Sequence, residues 1–158
     1  MRHTHAVKKS EMPALGSCPM CGIPLDSEYF DESKVVAAPA IGAQVILARF
    51  ELPPQYCGIL EYFSQFTDEH AGNPAKIATP GLLWMILVNH RPLYPYLNFD
   101  RIVNPWGYGS FQISIRLDDS ATIEFVVRRV SNAAPDITEV GGRILGRYWY
   151  NATYGDVV

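Results

Sequence analysis

A chain of 158 residues with 48% apolar and 18% charged side chains has the make-up of one globular domain with room for a real core. Its net charge of −3, with Lys and Arg scattered apart from Lys8-Lys9 and Arg128-Arg129, argues against the basic footprint that nucleic acid requires. The longest apolar run, Leu82 to Val88, is too short to span a bilayer, and MRHTHAVKKSEMPALG has no apolar signal core, so the sequence reads as a soluble protein made in the cytoplasm, with no membrane partner.

Residues 1–43 lack sustained periodicity and carry Pro13, Pro19, Pro24 and Pro39, which predicts an irregular N-terminal arm. Within it, SCPMCG at 17–22 resembles one knuckle of a zinc ribbon. Cys18 and Cys21 bracket a tight turn that brings both sulfurs to one side, and Gly22 allows the backbone to close it. A structural zinc site needs four ligands and no second CxxC exists. Three completions are open: His3 or His5 folding back, Cys57 from the body, or a knuckle of another subunit. The bland reading is a pair of reduced thiols. Zinc is thus a candidate cofactor, and no other cofactor is indicated.

From residue 44 to 158 the texture changes to short β-type runs separated by Pro, Gly, Asn and Asp clusters, the pattern of an all-β, two-layer antiparallel β-sandwich. Strands are expected over Ile46–Leu52 and Ile59–Phe66, with Leu60, Tyr62 and Phe66 on one face of the second. Thr67–Ile77 holds Gly72 and Pro74 and reads as a loop. Leu82–Val88 (LLWMILV) is apolar on both sides, as a central strand is, and Asn89-His90 followed by Arg91-Pro92-Leu93 reads as a tight reversal. A short strand is expected around Phe99–Val103.

Ser110–Leu117 alternates cleanly, with Phe111, Ile113, Ile115 and Leu117 against Ser110, Gln112, Ser114 and Arg116. Asp118 to Ala121 turns the chain, and Ile123, Phe125 and Val127 then alternate with Thr122, Glu124, Val126 and Arg128. Together these read as a hairpin with Gln112, Arg116 and Glu124 exposed, and Trp84 of the Leu82–Val88 run is expected to be buried. Arg143–Tyr150 closes the set, with Leu145 and Trp149 on one face.

No nucleophile, base and orienting acid fall together, and Glu61, Asp100, Glu124 and Glu139 are single carboxylates on strands or their edges, so the chain reads as a non-enzyme. The most distinctive segment is PLYPYLNFDRIVNPWGYGSF, 92–111. Its Tyr94, Tyr96, Trp106 and Tyr108 are aromatics with a polar edge on proline- and glycine-broken backbone, suited to a subunit interface, to stacking a sugar, or to roofing the core.

The order FELPPQY, LLWMILVNHRPL, NPWGYGSF and GGRILGRYWYN, ending in Gly146 followed by Arg147-Tyr148-Trp149-Tyr150, resembles the small jelly-roll or β-sandwich proteins that decorate or join tailed-phage virions. The resemblance covers about two thirds of the chain. It implies a structural virion component that forms a homo-oligomer and meets other assembly proteins. An arm that gains order by bridging neighbours fits such a unit. The alternative is a carbohydrate-binding sandwich module in which the loop aromatics hold a glycan.

Overall fold

The computed structural model describes residues 23–68, 81–97, 110–133 and 135–151, and of 94–97, 110 and 111 the backbone only. Among the described residues there are eight strands: β1 (Glu28–Ala37), β2 (Gln44–Glu51), β3 (Tyr56–Thr67), β4 (Leu82–Val88), β5 (Arg91–Leu97), β6 (Ser110–Leu117), β7 (Thr122–Arg129) and β8 (Glu139–Tyr150). They form two four-stranded sheets, ordered β1-β8-β3-β6 and β2-β7-β4-β5, with every pairing antiparallel. First pairs with last, second with seventh, third with sixth and fourth with fifth, and successive pairs alternate between the sheets. That nested order is the jelly roll, and it makes the molecule a two-layer β-sandwich.

Between the layers lies one apolar cluster, with Leu47, Trp84, Ile86, Ile123, Phe125 and Val127 from one sheet and Phe30, Leu60, Phe63, Leu117 and Ile144 from the other. β4 is an internal strand, as its two-sided apolarity requires, and Asn89 and His90 make the turn after it with φ of 51° and 62°. β5 carries Pro92 and Pro95, which donate no backbone hydrogen bond, and it occupies the sheet edge where proline is tolerated. The alternation in β6 holds: Ile115 and Leu117 are buried, Ile113 is half-buried, and Gln112 and Arg116 are exposed. The short strand expected around 99–103 and the side chain of Phe111 lie outside the described residues.

Four expectations need correction. The arm does not extend to residue 43, because Glu28–Ala37 is β1, an edge strand paired along ten residues with β8. Only Phe30 is buried and Val36 half-buried there, and an edge strand needs no more. Its Asp31, Glu32 and Lys34 are the charged side chains that keep a sheet edge from recruiting another strand.

The second correction concerns the expected hairpin. β6 and β7 do not pair with each other; β6 joins β3 and β7 lies between β2 and β4. The Asp118–Ala121 connection arches from one sheet to the other, closed by the Ala121 N–H donating to the Asp118 carbonyl and pinned by the Gln55 N–H donating to Asp119 Oδ1 at 2.6 Å. Two strands with alternating faces bury the same side chains whether they lie side by side or face each other across a core, so alternation alone does not separate the two.

Third, Glu124 is 4% exposed rather than solvent-facing. β7 is internal, and the carboxylate is held by His90 Nδ1 at 2.9 Å and by Arg49 Nη1 at 3.8 Å. Fourth, Tyr62 does not share a face with Leu60. A β-bulge between them inserts Glu61, so the inward set changes from Gly58 and Leu60 to Phe63, Gln65 and Thr67, and Tyr62 turns out.

Candidate functional site

The outer face of the β1-β8-β3-β6 sheet is a surface that the register assembles from distant parts of the chain. Its rows run Tyr29, Arg147, Ile59 and Arg116; then Asp31, Leu145, Tyr62 and Gln112; then Ser33, Arg143, Ser64 and Ser110. Tyr29 is 67% exposed, Val35 57% and Tyr62 43%. Beyond the last row, Gly141 leaves room for Val35 and Phe66 to close over β8 from either side; a Cβ at Gly141 would stand 2.9 Å from Val35 Cγ2 and 3.3 Å from Phe66 Cδ1. A shallow depression of about 240 Å³ among Tyr62, Phe63, Ser64, Arg143 and Leu145 breaks the face near its middle.

The charges on this face are already paired. Arg143 donates to both oxygens of Asp31, Nε to Oδ1 at 2.6 Å and Nη2 to Oδ2 at 2.5 Å. Arg147 holds Glu61 in the same forked way, with Nε at 2.9 Å from Oε2 and Nη2 donating to Oε1, and its guanidinium lies over the Tyr29 ring at 5.7 Å. The bulge that turned Tyr62 outward also supplies Glu61 to this pair. Such a face presents aromatic and aliphatic side chains with few charges left uncompensated, which lowers the cost of covering it with another protein surface.

The hydrogen bonds from Arg143 hold the Asp31 carboxyl below its ordinary value, against a smaller opposing effect of burial and with help from the arginine charge. Asp68, after β3, is lowered too: burial alone would raise it, but the Thr138 hydroxyl and N–H, the Glu139 N–H and its own N–H outweigh that. A carboxylate depressed in the folded state stabilises the fold above its unfolded value, about 3.8, and that stability is lost as pH falls through the folded value. Melting temperature is therefore expected to fall below about pH 4. Asp31→Asn should flatten the acid limb and cost under about 1 kcal/mol at neutral pH, because the pair is solvent-exposed. An acid limb unchanged in Asp31→Asn would show that this pair does not contribute.

Of the residues singled out in the sequence, Tyr94 and Tyr96 are described only as backbone within the edge strand β5. Trp106, Tyr108, Cys18, Cys21, His3 and His5 lie outside the described residues. Among the described residues no group of three or more His, Cys, Asp or Glu is placed to hold a metal ion. Cys57 is buried on β3 opposite Trp149, and His90 sits in the β4–β5 turn. The outer-face residues escaped notice because Tyr29, Asp31 and Val35 stand in a stretch read as arm; the signal present was the odd-position set Tyr29, Asp31, Ser33 and Val35 against Phe30 and Val36.

Among the described residues no helix is long and apolar enough to cross a membrane. Comparison of the sequence with protein families and with curated proteins finds no match in either.

Proposed function

We propose that this chain is a non-enzymatic structural subunit that assembles with copies of itself and with other proteins, of the tailed-phage virion kind that its sequence resembles. The observation that carries the reading is the outer face of the β1-β8-β3-β6 sheet. Tyr29, Val35 and Tyr62 stand exposed on it, while Asp31–Arg143 and Glu61–Arg147 are bonded within the protomer. Tyrosine and arginine are the residue types enriched where proteins meet. Fold alone would not support this, since jelly rolls host many functions.

Light scattering after size exclusion tests it. The wild-type chain is expected to run as a discrete oligomer. Tyr29→Ala with Tyr62→Ala should shift the population toward protomer by about tenfold or more in dissociation constant, because truncated interface aromatics commonly cost about 2 kcal/mol or more. Both side chains are exposed, so the melting temperature of the dissociated protomer should change little. A monomeric wild type, or a double variant with unaltered mass, sinks the proposal for this face.

A further inference from the structure

A second surface feature lies at the end of the sandwich where β1 begins, β8 ends and β3 starts. Pro24, Asp26, Glu28, Tyr56, Tyr148, Trp149 and Tyr150 line a cleft of about 270 Å³ there. The register brings them together: Glu28 stands opposite Tyr148, Tyr56 opposite Tyr150, and Cys57 opposite Trp149. The turn that leads into β1, closed by the Ser27 N–H donating to the Pro24 carbonyl, puts Asp26 at the rim.

The aromatic walls are braced from the core outward. Phe30 stacks on Phe50 at 4.2 Å and 5°, Phe50 meets Tyr148 at 5.4 Å, and Tyr148 meets Tyr56 at 5.7 Å. Tyr56 then stands 5.7 Å from Tyr150 at 76°. The Tyr148 hydroxyl donates to Glu28 Oε2 at 2.6 Å, which fixes the carboxylate against the aromatic wall. That hydrogen bond, then burial and the Glu28 charge, push the Tyr148 phenol up, so it stays a neutral donor through the physiological range.

Two properties select the ligand. Two carboxylates, those of Asp26 and Glu28, line the cleft, and among the described lining residues no Lys, Arg or His balances them. The rings also meet at large angles, 49° between Tyr56 and Tyr148 and 76° between Tyr56 and Tyr150, so the aromatic wall turns corners instead of lying in one plane. A sugar wants, besides a ring to stack on, amide or guanidinium donors for its hydroxyls, and none of the described lining residues is Asn, Gln or Arg. A cation with methyl groups in place of N–H donors fits π faces on several sides and a carboxylate at the open one. The volume is slightly below the range of about 300 Å³ and upward that holds a whole drug-sized ligand, so a head group is the right size.

We propose that this cleft is a binding site for a small alkylated ammonium ion of the choline type, with Tyr56, Tyr148 and Tyr150 as the cage and Glu28 and Asp26 as the counter-charge. The site stands on residues separate from the outer face and does not depend on whether the chain assembles.

Isothermal titration of the full chain with choline chloride, and with its neutral carbon isostere dimethylbutanol, tests the assignment. Choline is expected to saturate at millimolar concentration and to bind about tenfold or more tightly than the isostere, since only the cation is attracted by the carboxylates and ring faces. Glu28→Gln keeps an acceptor for the Tyr148 hydroxyl and should weaken choline about fivefold while leaving the isostere unaffected; Tyr150→Ala should weaken both. Melting of each variant is recorded, and Asp26→Asn, in the turn before β1, serves as a second charge variant if Glu28→Gln disturbs the fold. Equal affinity for choline and the isostere, no saturation up to tens of millimolar choline, insensitivity to both charge variants, or preference for a methyl glycoside would each overturn the proposal.

Discussion

Gly146→Ala is expected to lower stability by about 3 kcal/mol, at the upper end of what overpacking costs, and the melting temperature by roughly 6–12 °C. Gly146 lies in β8 opposite Phe30 of β1 and Leu60 of β3, next to the bulge at Glu61. A Cβ there would stand 2.2 Å from the Ile59 carbonyl oxygen and 2.5 Å from Phe30 Cζ. The ring could swing aside, but the carbonyl belongs to the neighbouring strand and moves only if the ladder opens. Phe30→Ala added to Gly146→Ala should therefore restore little. A melting temperature within a degree of wild type would mean that β3 and β8 are not this close. The same glycine lets Phe30 lie over β8 and brace Phe50 and Tyr148, so Gly146→Ala should also disturb the aromatic cleft. A glycine followed by aromatics near the end of the chain thus has a packing reason here.

Trp84→Ala should cost about 3–5 kcal/mol, against a total of about 5–15 for a domain, and lower the melting temperature by roughly 6–20 °C. Trp84 is fully buried on the internal strand β4. Its ring stacks on Phe125 of β7 at 5.8 Å and 27°, and Phe125 reaches across the sandwich to Phe63 of β3 at 5.6 Å. Phe125 in turn occupies the space over Gly142, where a Cβ would come within 2.5 Å of its ring. Removing the indole opens a cavity between two sheets whose strands are held in register by their ladders, so the walls relax only in part. Trp84→Phe keeps most of the volume and should lose markedly less. Equal losses in the two variants would show that the indole edge, and not the filled volume, is what the core depends on.

Residue order alone determined the all-β class, the strand at Leu82–Val88, the Asn89-His90 turn and the inward facing of Ile113, Ile115 and Leu117 in β6, because each rests on local chemistry: two-sided apolarity, tolerance of positive φ, and a period of two. β1 was hidden because an edge strand facing the core with Phe30 and Val36 needs no apolar run, and its charged residues read as an arm. The partners of β6 and β7 were not legible, since strands that pair and strands that oppose across a core show the same alternation; the arch at Asp118–Ala121 became visible only with its anchor, Gln55, 64 positions away. The bulge at Glu61 reversed the face of Tyr62, and a bulge is a mismatch between two strands, so one strand read by itself does not disclose it. Both candidate sites follow from these non-local facts. The outer face joins Asp31 to Arg143 across 112 positions and the cleft joins Glu28 to Tyr148 across 120, and only the jelly-roll pairing of the first strand with the last brings such residues within hydrogen-bond reach.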